Sequence, residues 1–170
     1  STPVAIMRAM SNRWKPNVTV AAIAEREGRF LFIEESTADG LRLNNPAGHL
    51  DPGESPIEAC VREVLEETAY DFSPTALVGV YLNRFRRTRT GDDITYLRFV
   101  FTGEVGTHHA WRALDDGILR AVWLTPEELR NSNTRHRSPL VLQSVEDYLA
   151  GRRAPLELIH TDPSVLKTPV

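Results

Sequence analysis

A chain of 170 residues and 19.1 kDa is long enough for one domain with a proper core and too short for two generous ones. Its formal net charge of -3 and pI near 6.0 argue against a protein that wraps nucleic acid through bulk electrostatics. The single cysteine, Cys60, excludes an internal disulfide and a Cys-rich zinc site, and no apolar run approaches the roughly 18 residues of a membrane span.

In chain order, residues 1–15 show no periodicity and read as an arm, with Trp14 docking on the body. One Arg and no long apolar run in Ser1–Met10 do not make a signal peptide. With the sparse cysteine, this makes a cytoplasmic location the expectation. Residues 17–24 (Val18, Thr19, Val20, Ile23) read as a strand. Glu27-Gly28-Arg29 is a turn and residues 30–34 a second strand, so the two strands are expected to form a hairpin. Residues 36–45 read as a polar connection. Pro46, Gly48, Pro52 and Gly53 make residues 46–53 a shaped loop.

Ser55-Pro56-Ile57-Glu58 is a capping box that starts a helix running to about Ala69, with Ile57, Val61, Val64, Leu65 and Thr68 as its expected buried stripe. Strands follow near residues 76–83, 94–104 and 121–124. Thr125-Pro126-Glu127-Glu128 caps a short helix, and a last helix spans about 138–149, carrying Leu140, Val141, Val145 and Leu149 and stopping at Gly151. This order implies an α+β domain, an α/β/α sandwich with a mixed sheet between helices.

The central helix carries a second stripe. Glu63, Glu66 and Glu67 stand at i, i+3 and i+4, so their carboxylates share a face nearly opposite the apolar one. Alone, such a run is most simply a solvated face. A cation would turn its mutual repulsion into a gain, and hard oxygen ligands suit magnesium or manganese. The run also stands at fixed distances from Gly48, Glu54 and Arg62.

The stretch Gly48-(five residues)-Glu54-(seven residues)-Arg62-Glu63-Val64-Leu65-Glu66-Glu67 resembles the box of the Nudix hydrolases at every charged position. It departs where the family usually has glycine and this chain has Ala69. The resemblance implies a Nudix fold and magnesium-dependent (or manganese-dependent) cleavage of a phosphoanhydride. It makes Glu66 and Glu67 metal ligands and Glu63 either a further ligand or the base. Arg62 would bridge to Glu54, and the Gly48 backbone would lie close to the metal. Glu104 is the reserve base; its simpler reading is an exposed strand-end charge.

Beyond the box, residues 16–21, 45–50 and 137–157 resemble a bacterial subgroup, the NudJ-type pyrimidine-diphosphate phosphatases. That resemblance implies hydroxymethylpyrimidine diphosphate, thiamine diphosphate or nucleoside di- and triphosphates as substrates, with phosphate release. The alternatives are ADP-ribose or another nucleotide sugar, and a dinucleoside polyphosphate.

Candidate substrate contacts are His49, Arg137 with Ser138, and Arg84, Arg86, Arg87 and Arg89 between two strands. A solvated basic hairpin balanced by Asp92 and Asp93 explains the arginines equally well, and loop hydrogen bonding or a plain helix cap explains His49 and Ser138. Trp111 and Trp123 could stack on a pyrimidine, or Trp123 could be core; Cys60 reads as packing. The domain is expected over residues 16–160 with a tail at 161–170, as a monomer or homodimer with no nucleic-acid polymer and no membrane as partner. The rival classes are a nucleotide-sensing Nudix-fold module, which typically lacks box glutamates, and a nucleic-acid binder, which lacks the charge.

Overall fold

The computed structural model describes residues 12–167, so most of the expected arm lies outside what is described. Trp14 does not dock: it stands 68% exposed. The first strand, β1 (Asn17–Ile23), and the residue after it are buried without alternation from Val20 to Ala24. A strand covered on one face alternates, so continuous burial means cover on both faces. Val20, Ala22 and Ala24 join Leu31, Phe101, Ala59, Cys60 and Val64 in one core. Ala21 and Ile23 join Phe30, Phe32, Val100, Leu129, Val141 and Val145 in another. Helix α1 (Pro56–Thr68) supplies the first core; α2 (Pro126–Asn131) and α3 (Leu140–Leu149) supply the second. Helices therefore cover both sides of the strands, as the α/β/α reading requires.

The middle layer holds two sheets where one was expected. In the mixed sheet, with order β5-β1-β7-β6, β1 runs parallel to β7 (Asp93–His108) and antiparallel to β5 (Ala47–His49). Its outer strand β6 (Tyr70–Arg86) pairs antiparallel with β7. The second sheet is antiparallel and centres on β3 (Arg29–Thr37), which pairs with β2 (Glu25–Arg26), β4 (Gly40–Asn44) and β8 (Ile118–Leu124). The chain changes sheets at Ala24. The expected hairpin is therefore made by β2 with β3, across Glu27 (φ 53) and Gly28 (φ 76), and β1 is not one of its arms. Residues 40–44, read as connection, are β4; Leu41 and Leu43 alternate with Arg42 and Asn44, but Leu43 is core and Leu41 is exposed, so the alternation is only two residues long.

The capping box of α1 forms as expected: the Ser55 hydroxyl accepts from the Glu58 N–H at 3.1 Å, and Glu58 accepts from the Ser55 N–H at 3.4 Å. The buried face differs from the expected one. Ala59, Cys60, Glu63, Val64, Glu67 and Thr68 are buried, while Val61 and Leu65 are only partly so. The helix is turned by about 100° from the apolar-stripe expectation, which brings two glutamates inward. At its end Ala69 takes the left-handed conformation (φ 62), and its N–H reaches Leu65 O at 2.9 Å.

Strand β6 is the free edge of the mixed sheet, with register shifts at Tyr70/Phe72, Pro74/Ala76 and Leu77/Gly79. Ala154 pairs with Leu77 there through reciprocal backbone bonds of 2.9 and 2.8 Å. The last helix begins at Leu140, two residues later than expected, and Gly151 (φ 88) follows its end. Among the described residues no helix is long and apolar enough to cross a membrane.

Ala69 adopts a conformation that strains an L side chain. Ala69→Gly should raise stability by about 0.5–1 kcal/mol, read as a higher denaturation midpoint; an unchanged or lower midpoint would show that the buried methyl outweighs the strain.

Candidate active site

The loop before α1 and the helix itself are joined by one guanidinium. Arg62 holds Glu54 with two bonds of 2.7 and 2.9 Å, and donates to Glu63 at 2.7 Å, Glu66 at 3.1 Å and the His49 carbonyl at 3.0 Å. Asp51 approaches it at 3.3 Å. Glu54 also accepts from the Asp51 N–H at 2.8 Å, which ties the loop to itself. Glu67, one turn on from Glu63, makes no bond to Arg62 and accepts from the Ala47 N–H of β5 at 2.8 Å. Gly48 lies between them: a Cβ there would overlap the Glu63 carboxylate.

Burial dominates the electrostatics. Glu67 is pushed from the ordinary 4.5 up to about 9, chiefly by burial, which the Ala47 N–H opposes and the charges of Glu63, Glu35 and Asp115 reinforce. Glu63 is raised as well, by burial first, although Arg62 pulls the other way. Glu54 is lowered by its bonds to Arg62. The carboxylates thus divide: Glu54 is satisfied by protein, and Glu63 and Glu67 lack a full countercharge.

One acid was not legible in the sequence. Asp115 sits in the loop between β7 and β8, its N–H bonded to Glu66 O at 3.1 Å, and one oxygen each of Glu63, Glu66 and Asp115 lie within 4.8 Å of one another. Hard carboxylate oxygens in excess of their cations, with a Gly48 cradle that a side chain would fill, fit a magnesium or manganese ion.

Glu63, Glu67, Gly48 and His49 open onto a cleft of about 850 Å³. Its far wall is the β6–β7 hairpin, with Arg86, Arg87 and Arg89, and Arg137 and Ser138 line it from the approach to α3. Arg84 is not among its lining residues; it pairs on the surface with Asp93 at 2.6 and 2.9 Å. Glu104 is exposed on β7, opposite Ser73, and does not line the cleft either. Arg137 reaches Glu35 at 3.3 Å, and Ser138 caps the Leu140 N–H at 3.2 Å. Trp111 is 82% exposed and outside the cleft; Trp123 meets Tyr70 edge-on, partly buried against the first core. Cys60 is buried and its thiol pKa is raised by that burial, as a packing residue's would be.

The cleft floor adds residues that single-strand patterns did not mark. Arg98 of β7 is buried, donating to Asn45 at 2.9 Å and Asn44 at 3.2 Å, while its Nε and the Asn45 amide nitrogen have no partner among the described residues. Burial lowers this guanidinium to about 10, against the pull of Glu67 and Glu35. Tyr96, Asn83, Phe85 and Glu35 also line the cleft.

Comparison with known proteins identifies the family and the fold. A NUDIX domain profile matches residues 13–143. The chain is 36% identical to Phosphatase NudJ of Escherichia coli K12 over 146 residues, 86% of this chain and 92% of that one. A NUDIX hydrolase structure from Nitrosomonas europaea shares 48% identity at a TM-score of 0.80, covering 87% of this chain and 98% of that one. A MutT NUDIX hydrolase from Burkholderia pseudomallei, at 19% identity and a TM-score of 0.64 over 79% of this chain and 98% of its own, shares the fold.

Two outcomes test the site. Because Glu67 holds its proton more tightly in the folded chain than in the unfolded one, metal-free protein should lose stability as pH rises from about 5 towards 9. Denaturation in chelator across that range should show the decline, and Glu67→Gln should flatten it; an equal slope in the variant would remove Glu67 as the cause. Gly48→Ala should displace the Glu63 carboxylate while the fold persists, lowering turnover and magnesium affinity by roughly 100-fold. Native-like magnesium titration of that variant would contradict the cradle.

Proposed function

The chain belongs to the NUDIX family, and on that premise we propose that it uses magnesium to cleave a phosphoanhydride of a small diphosphate, releasing phosphate. It is a Nudix hydrolase similar to the NudJ phosphatases. The proposed substrates are hydroxymethylpyrimidine diphosphate, thiamine diphosphate, and nucleoside di- and triphosphates. The observation that carries the reading is the polarity of the cleft: under-compensated carboxylates at the α1 end, arginines at the hairpin end.

Glu63, Glu66 and Glu67 would hold the ion, with Asp115 beside the first two. When bound, magnesium supplies charge neutralisation on the diphosphate and a lowered pKa for an attacking water. The protein's own groups do the rest. Arg62 and Glu54 fix the loop so that Gly48 admits the Glu63 carboxylate. A carboxylate takes the water's proton: Glu63, or Asp115 from the loop, which replaces Glu104 in this role because Asp115 clusters with Glu63 and Glu66 and Glu104 does not. Arg86, Arg87, Arg89 and Arg137 line the cleft and draw an anionic substrate into it, and His49 stands beside the carboxylate end.

A phosphate- and diphosphate-release screen with magnesium tests the proposal, using hydroxymethylpyrimidine diphosphate, thiamine diphosphate, common nucleotides, ADP-ribose and dinucleoside polyphosphates. Turnover of the pyrimidine or nucleoside diphosphates is expected, with Glu67→Gln at least about 100-fold slower. Of Glu63→Gln and Asp115→Asn, the one that abolishes the acidic limb of the pH–rate profile identifies the base. Turnover confined to ADP-ribose or dinucleoside substrates would overturn the substrate assignment, and full activity in Glu67→Gln would overturn the ligand assignment.

A further inference from the structure

The cleft floor is crossed by a line of rings. Tyr96 of β7 lies opposite Asn83 of β6, and Phe85 stands two residues further along that strand, so Phe85 and Tyr96 are diagonal neighbours on one face. Their rings stack at a centroid separation of 5.6 Å and an interplanar angle of 26°. His49 of β5 lies 6.0 Å from Tyr96 on the other side, tilted at 59°. His49, Tyr96 and Phe85 all line the cleft, and they span the sheet from the carboxylate edge towards the arginine tip. Three strand spacings of about 4.8 Å put roughly 14 Å between β5 and β6. That is room for a phosphate at the Gly48 end and a ring at the Phe85 end.

Two features mark the pair as more than a ribbon clamp. Phe85 is 37% exposed, a large apolar ring left open in a cleft that it shares with several charged side chains. The neighbouring floor position on the same face of β7 is Arg98, whose guanidinium is buried with its Nε unpartnered among the described residues. A flat unsaturated ring meets an aromatic shelf with a π-face, and an adjacent buried guanidinium favours a ring that carries acceptor atoms.

We infer that Phe85 and Tyr96 form the shelf on which the substrate's planar heteroaromatic ring lies, and so decide which diphosphates the cleft accepts. This rests on the hydrolase reading above and deepens it. The shelf selects heteroaromatic diphosphates over aliphatic ones, and it orients the substrate with its phosphates towards Gly48 and its ring towards the hairpin. Phe85 and Tyr96 act on the half of the substrate that is not attacked, so their loss raises KM for ring substrates and leaves the chemistry in place.

The test pairs turnover with binding. Phe85→Leu and Tyr96→Leu keep apolar bulk on the strands and remove the ring faces; Tyr96→Phe restores one. With magnesium, CDP and isopentyl diphosphate are compared as substrates, and calorimetry compares CMP with ribose 5-phosphate on the Glu67→Gln protein, where no turnover is needed. The parent should prefer CMP to ribose 5-phosphate, and each Leu variant should collapse that preference about tenfold, with KM for CDP raised in step and Tyr96→Phe near native. Equal losses for ringed and ringless probes would reduce the pair to a structural clamp and overturn the inference. So would a parent that does not prefer CMP, or Leu variants that keep the preference. Absent turnover of every diphosphate, with the binding preference intact, would instead sink the hydrolysis proposal and leave the shelf standing.

Discussion

Arg62 brings one positive charge to Asp51, Glu54, Glu63 and Glu66 at once. Two of its bonds are spent on Glu54, and that forked pair fixes the loop from His49 to Glu54 against the first turns of α1. The remaining carboxylates share what is left. Glu67 receives nothing from Arg62 and is buried against the Ala47 N–H, which is too little to keep it ionised at ordinary pH. The site is therefore an incomplete salt-bridge network by construction. A fully compensated set would have no use for a divalent cation, and a set with no Arg62 would neither hold the loop nor bring Glu63 beside Gly48.

The sandwich determines where that set faces. The mixed sheet is covered on one side by α1 and on the other by α3, but α3 starts only at Leu140. Val78 and Val100 lie beneath it, while Arg98 and Tyr96, two and four residues towards the start of β7 from Val100, form part of the cleft floor. The open floor and the carboxylates meet at β5, the short edge strand next to β1, because a glycine there lets a side chain from one side of the layer reach the other. β3 and β4 contribute Glu35 and Asn44 to the rim, so both sheets are needed to enclose a ligand.

Much of this could be read from residue order alone. Gly48, Glu54, Arg62 and the three glutamates lie within one turn-and-helix segment, where spacing translates directly into space. The capping boxes at Ser55 and Thr125 are equally local. The inward rotation of α1 was not legible, because a stripe of glutamates looks like a solvated face until something shows what it packs against. Asp115 lies far along the chain from Glu66, and only the path of a loop between two strands brings it there. Phe85 and Tyr96 meet through strand register, and Arg98 is buried through the Asn44 and Asn45 side chains; neither relation leaves a periodic trace. Arg84 and Arg86 looked alike in the sequence, yet Asp93 engages the first on the surface while the second lines the cleft.

The outer edge of β6 has a consequence for the protein in solution. A long strand with one unpaired side is a template on which another chain can add a strand and start a growing stack. Here the edge is broken three times by register shifts, Pro74 withholds an N–H, and Ala154 occupies both backbone positions of Leu77. From Tyr70 to Gly79 a visiting strand finds no straight run of donors and acceptors, and along the regular stretch beyond it meets Arg84 and Arg86. The irregularities that look like flaws in the pairing of β6 with β7 thus guard the first half of this edge against polymerising, and the arginines guard the half that carries exposed Val80 and Leu82.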